Sequence, residues 1–118
     1  MWAVEYTDEF ATWWHSLTRQ QQEAVAARVE LLAEEGPGLK RPVVAAIARS
    51  RITNLKELRC ASDGSLRILF AFDPRRTVIL LLGGDKSGDW RRWYARAIPE
   101  AERLYEVYLT ELNDEGLL

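Results

Sequence analysis

Apolar and polar residues alternate over WAVEY (2–6), which predicts a short strand. Thr7 can cap a following helix, with Asp8 and Glu9 in the first turn, where the helix dipole favours acids. Phe10, Trp13, Trp14 and Leu17 then fall at i, i+3, i+4 and i+7, one apolar face of a short helix. TRQQ (18–21) fits a capping box and opens a second helix. Its stripe is Val25, Val29 and Leu32, widened by Ala24, Ala27 and Leu31, and Gly36-Pro37-Gly38 ends it. The two helices should form an antiparallel hairpin with a very short turn.

Residues 39–53 show no clear period, and Pro42 argues against a helix through them. NLKELR (54–59) with Cys60 alternates and reads as a strand, and LRILFAF (66–72) as a stronger one. TVILLL (77–82) is almost unbroken apolar, the mark of a strand buried on both faces. Turn-forming residues at 61–65 and 73–76 join the three as an antiparallel meander. The glycines of LLLGGDKSG (80–88) are expected to turn the chain at the sheet's rim. A short aromatic segment follows, and Pro99 suits the first position of a last helix with Ala101, Leu104, Tyr105, Tyr108 and Leu112 on its apolar face. The order β-α-α-β-β-β-α describes one α+β domain over 1–118, with helices packed on one face of the sheet.

Charge sharpens this picture. Residues 1–39 carry seven acids and two bases, and residues 97–118 carry six acids and one base. Residues 40–96 carry thirteen bases and five acids, within a chain whose net charge is only −2. A basic middle between acidic ends points to an anionic partner for the middle. The single cysteine, Cys60, excludes an internal disulfide, and with the single histidine, His15, it cannot build a zinc site of the usual kinds. No cofactor is expected. The first residues lack the basic and apolar regions of a signal peptide, and no window is apolar enough for a membrane span. A cytoplasmic protein without a membrane partner is therefore expected.

LLLGGDKSG resembles a phosphate loop at first sight. A Walker loop needs a glycine where Leu80 stands, and Asp85 places negative charge among the amides that would cradle phosphate. What remains is Lys86, at the rim. Arg67 interrupts an apolar strand, so it must be paired, for example with Glu57, or line a groove. Lys56 and Arg59 lie on the neighbouring strand with opposite facings, so one of them shares a face with Arg67. Trp90, Trp93 and Tyr94 stand beside Arg91, Arg92 and Arg96, a mixture suited to nucleic-acid stacking. Core filling is the better reading of the tryptophans; for Tyr94, with its hydroxyl, function competes. His15 lies in an acidic segment and reads as structural or exposed, and the acids of the last helix read as a solvated face.

NLKELR, LRILFAFDPRR (66–76), ILLLGGDKSG (79–88), W-x-x-WY (90–94) and AIPEAERLYEVYL (97–109) together resemble the phage-derived HigB-type toxins of the RelE/ParE superfamily. The resemblance implies a toxin of a type II toxin–antitoxin pair that cuts mRNA in the ribosomal A site without a metal. In the reaction it implies, the ribose 2′-hydroxyl attacks the adjacent phosphate and expels the 5′-oxygen. Carried over by motif, the catalytic residues are Arg67, Lys86 and Tyr94. Lys56, Arg59, Arg91 and Arg92 are expected to bind RNA. The implied partners are a HigA-like helix-turn-helix antitoxin, the ribosome and mRNA, with operator DNA reached only through the antitoxin. Some relatives carry histidines near the last motif and this chain has none, so Tyr94, Lys86, Glu57 or the ribosome must move the protons. The same superfamily includes ParE-like gyrase inhibitors. That activity, or a non-catalytic co-repressor role, stands as the alternative.

Overall fold

The computed structural model describes residues 1–60, 65–86 and 88–118. Its elements are β1 (Ala3–Tyr6), α1 (Asp8–Ser16), α2 (Arg19–Glu35), β2 (Val44–Ala46), β3 (Lys56–Arg59), β4 (Leu66–Phe72), β5 (Thr77–Asp85) and α3 (Trp90–Asp114). The turn expected at 61–65 lies, apart from Ser65, outside the described residues, as does Ser87.

The helical hairpin forms as its caps require. Thr7 Oγ1 accepts from the Phe10 amide at 3.0 Å and donates to the Leu81 carbonyl at 2.7 Å, so one cap also anchors α1 to β5. Thr18 and Gln21 make the reciprocal capping box, at 3.1 and 2.9 Å. Gly36 ends α2 with φ of 57° and lies under the Trp2 indole, where a Cβ would meet Nε1 at 2.4 Å.

The sheet runs β1-β5-β4-β3-β2. The meander β3-β4-β5 is antiparallel, as expected, and β1 joins β5 in parallel. The irregular segment 39–53 supplies β2, which pairs with β3. Helices cover both faces, not one. α1 and α2 pack on Ile68, Phe70, Val78 and Leu80, whereas α3 packs on Leu69, Ala71, Ile79 and Leu81. The doubly apolar TVILLL run needs this, since a strand buried on both sides must be covered on both. Among the described residues no helix is long and apolar enough to cross a membrane.

Two boundaries differ from expectation. β5 does not turn at its glycines but continues through Gly83 and Gly84 to Asp85. There the missing side chains admit flat indoles: a Cβ on Gly83 would lie 2.1 Å from Trp13, and one on Gly84 would lie 2.1 Å from Trp93. α3 begins at Trp90, with the Asp89 side chain accepting from the Arg92 amide, so Pro99 is interior. The proline costs a backbone hydrogen bond. The helix survives it because Tyr94, Ala97, Ile98, Ala101, Leu104 and Tyr105 are buried on the sheet.

A β-bulge sets the position of everything at the end of β5. Leu69 pairs with Leu82 while Phe70 pairs with Leu80, so Leu81 is one residue extra. Leu81 and Leu82 both face α3 as a result. Beyond the bulge Gly84 stands opposite Arg67 on that same face. Strict alternation from Val78 and Leu80 would have sent Lys86 toward the helical hairpin. The extra residue turns it to the side of Arg67.

Candidate active site

β3 and β4 bring Glu57, Arg59, Arg67 and Leu69 onto the α3 face, with Arg59 paired directly across from Arg67. Like charges in that register repel. The buried Glu57 carboxylate relieves this. Its Oε2 accepts from Arg67 Nη1 at 2.7 Å and from Arg59 Nε at 3.4 Å. Its Oε1 accepts from the Tyr94 hydroxyl, delivered by the first turns of α3. The side chains of Glu57 and Arg67 are 3% and 8% exposed, whereas Arg59 is 29% exposed. The site thus has a closed inner part, Arg67–Glu57–Tyr94, and an open outer part.

Lys86 belongs to the outer part. Its backbone amide donates to the Ser65 carbonyl at 3.0 Å, and its Nζ lies 5.8 Å from the Tyr94 ring centre. Burial, and then the charges of Arg67 and Arg59, lower the Lys86 pKa below its ordinary value, with Glu57 offsetting part of the effect. Burial pushes the Tyr94 phenol up to about 12, and its hydrogen bond to Glu57 adds to this. Tyr94 therefore holds its proton at neutral pH, and Lys86 gives one up more readily than a free lysine.

Arg49 completes the ring of cations, 5.7 Å from the Tyr94 centroid. It had no visible signal beyond membership of the basic middle, because residues 47–54 have no period of their own. Tertiary contacts hold that segment. Glu102, in α3, accepts from the Ser50 hydroxyl and the Arg51 amide, both at 2.7 Å, and its pKa is lowered chiefly by the Ser50 hydrogen bond. Glu102 is buried, so this acid is not part of the solvated face expected of the last helix.

The structure brings Arg67, Lys86, Tyr94 and Arg59 together. Lys56 pairs with Phe70 and faces the helical hairpin, away from this cluster. Arg91 and Arg92 are exposed on the first turn of α3, Arg92 at 3.4 Å from Asp89 and Arg91 at 5.2 Å from the Trp90 ring. Of the tryptophans expected in the core, Trp93 packs beneath α3 and Trp90 does not: it is 45% exposed. His15 is exposed and lines an apolar cavity of about 480 Å³ between β1 and the hairpin, on the other face of the sheet. Burial pushes the Cys60 thiol up to about 12, leaving it unreactive at neutral pH.

A short N-terminal strand, a helical hairpin and a meander backed by one long helix constitute the RelE-type fold. Isolated Escherichia coli RelE toxin matches at TM-score 0.60 and 11% identity, over 83% of this chain and 99% of that one. The RelBE2 toxin–antitoxin complex from Mycobacterium tuberculosis matches at TM-score 0.57 and 20% identity, over 71% and 96%. Sequence gives the finer placement. Residues 12–106 match the family of phage-derived Gp49-like proteins. A Mycobacterium tuberculosis protein described as "Putative toxin HigB3" is 46% identical over 97% of this chain and 99% of its own length. A second, "Putative toxin HigB2", is 40% identical over 96% of this chain, which spans 57% of that relative. The chain belongs to the phage-derived Gp49-like family, as a HigB-like toxin with a RelE-like fold.

Proposed function

We propose that this toxin is a ribosome-dependent endoribonuclease that cuts mRNA through attack of a ribose 2′-hydroxyl on the adjacent phosphate. One observation carries the reading: among the described residues four cations, Arg49, Arg59, Arg67 and Lys86, gather round Tyr94 and the Glu57 carboxylate. Such a surplus repels itself unless an anion enters, and a phosphate that gains charge during the reaction is the anion it suits best. Lys86 Nζ takes the 2′-hydroxyl proton in its neutral form and becomes an ammonium beside the dianionic transition state. Tyr94 donates its proton to the departing 5′-oxygen and recovers one from Lys86. A cyclic phosphate and a 5′-hydroxyl result. Arg67, fixed by Glu57, supplies positive charge from a site of low polarity, where it acts most strongly.

The partners in this reading are the ribosome with its mRNA, and a cognate helix-turn-helix antitoxin that keeps the toxin silent. Solved relatives include toxin–antitoxin complexes, which supports the second. The test is primer extension on mRNA in a purified translation system. Wild type is expected to leave ribosome-dependent cuts, and Arg67→Ala with Lys86→Ala to leave none. Lys86→Arg keeps the charge without a releasable proton, so it should bind and fail to cut. No cuts by wild type, or normal cutting by the double variant, would overturn the proposal; inhibition of purified gyrase in place of cutting would assign the ParE-like activity.

A further inference from the structure

The nuclease reading accounts for the cations and Tyr94 but leaves Trp90 without a task. Trp90 opens α3 with 45% of its surface exposed, although the apolar sheet face lies within reach of the same helix. Trp93, one turn on, takes the half-buried place over Gly84. Trp90 instead meets Tyr94 edge to face, with centroids 6.2 Å apart and planes at 78°. The Arg91 guanidinium lies 5.2 Å from its ring centre. Through Tyr94 the indole is one ring removed from Lys86 and Arg49, the open part of the phosphate site. An exposed tryptophan that carries an arginine thus stands beside the ring that Lys86 and Arg49 flank, where the base next to a bound phosphate can meet it.

We infer that Trp90, with Arg91, is a stacking platform for a nucleobase of the single-stranded RNA whose phosphate enters between Lys86 and Arg49. The inference rests on the proposed nuclease reading and adds a base subsite to it. Every base has a π-face, so the platform tolerates sequence: it fixes where the strand lies without choosing which base is read. Arg91 contributes by cation–π contact and by its charge near the backbone. Splaying one base onto the indole also unstacks the strand beside the phosphate. That frees the 2′-hydroxyl to rotate into line with the 5′-oxygen.

The experiment uses the full chain without ribosomes, and a fluorescently labelled single-stranded oligodeoxynucleotide as probe. Lacking 2′-hydroxyls, the strand binds without being cut. Trp90→Ala should weaken binding about tenfold, and Trp90→Phe should retain most of the affinity. Strands with one abasic position, scanned along their length, should lose about as much on wild type at one register and nothing further on Trp90→Ala. Binding should quench tryptophan emission in wild type and much less in Trp90→Phe, a signal that charge alone does not produce. Equal thermal unfolding midpoints for the three proteins separate the effect from misfolding. Wild-type affinity in Trp90→Ala, undiminished quenching in Trp90→Phe, or no binding of the strand by wild type would each overturn the platform. None of these touches the cleavage assay on ribosomes. Conversely, base-dependent binding without ribosomal cuts would overturn the nuclease and leave the platform standing.

Discussion

Two networks of arginine, carboxylate and tyrosine lie at opposite ends of α3, on the same face of the sheet. At the far end Arg75 Nη2 donates to Asp73 Oδ2 at 3.0 Å, to Glu5 Oε2 at 2.7 Å and to the Tyr108 hydroxyl at 2.8 Å. Asp73 also accepts from the backbone amides of Arg75 and Thr77, which closes the β4–β5 turn. One guanidinium faces two carboxylates, and the network ties that turn to β1 and to α3. At the near end, among the described residues, the Glu57 carboxylate faces a crowd of cations, and the outer members remain open to solvent. The residue types are the same; the charge balance differs. A network whose donors all meet acceptors holds a fold together, and one left with surplus charge at an open mouth is poised for a ligand.

The strongest way to break this distinction is to remove the arginine at each end. Arg67→Ala is expected to slow cleavage on ribosomes by about 10²–10³-fold, the usual cost of one group that stabilises transition-state charge. Arg75→Ala should leave cleavage per folded molecule within about twofold and lower the unfolding midpoint instead. Primer-extension rates at matched folded concentrations decide this; comparable losses of rate would erase the contrast between the two ends.

The carboxylates give the next largest effect. Both are buried and paired with arginine, so Glu57→Ala and Asp73→Ala should each cost about 3 kcal/mol in urea unfolding. Their response to inorganic phosphate should differ. Without Glu57 the near end is a cationic pocket that binds the anion in the folded state alone, so added phosphate should recover stability there. It should do nothing for Asp73→Ala, where the far end keeps one arginine beside Glu5. Equal recovery, or none at either end, would mean that the near-end cations are not an anion site.

The near end was partly legible and the far end only as the turn at 73–76, for a physical reason. The helical hairpin could be read because caps and a 3.6-residue period are local. Alternation placed Arg59 and Glu57 on one face, and the cost of burying a lone guanidinium left Arg67 either paired, for example with Glu57, or lining a groove. The position of Lys86 depends on the bulge at Leu81, and an apolar run reads the same in either phase, so TVILLL carries no mark of it. The start of α3 was hidden because Pro99 is a strong local signal, while the Asp89 cap and the burial of Tyr94 depend on the assembled sheet. Arg49 and Trp90 are placed by tertiary contact and by exposure, neither of which a single sequence displays.

The smallest expected effect lies in alkaline stability, and here the two ends share one trend and part on another. Burial, then hydrogen bonds to carboxylates, raise both tyrosines, Tyr94 to about 12 and Tyr108 in the same direction. The folded state holds those protons more tightly than the unfolded chain. Their contribution is therefore complete below pH 10 and is lost as pH climbs through the raised values. Lys86 runs the other way. Its folded pKa lies below the ordinary 10.5, so between the two values the unfolded chain binds more protons and stability rises with pH. The near end thus contains opposing slopes and the far end, through Tyr108, only a falling one. Urea unfolding across this range should lose its rising component in Lys86→Met and part of its falling component in Tyr108→Phe. Bound oligodeoxynucleotide should remove the Lys86 component from wild type as well, because a phosphate beside the ammonium raises its pKa again. A Lys86→Met profile that parallels wild type, with and without the strand, would show that Lys86 does not carry the strained charge at the mouth.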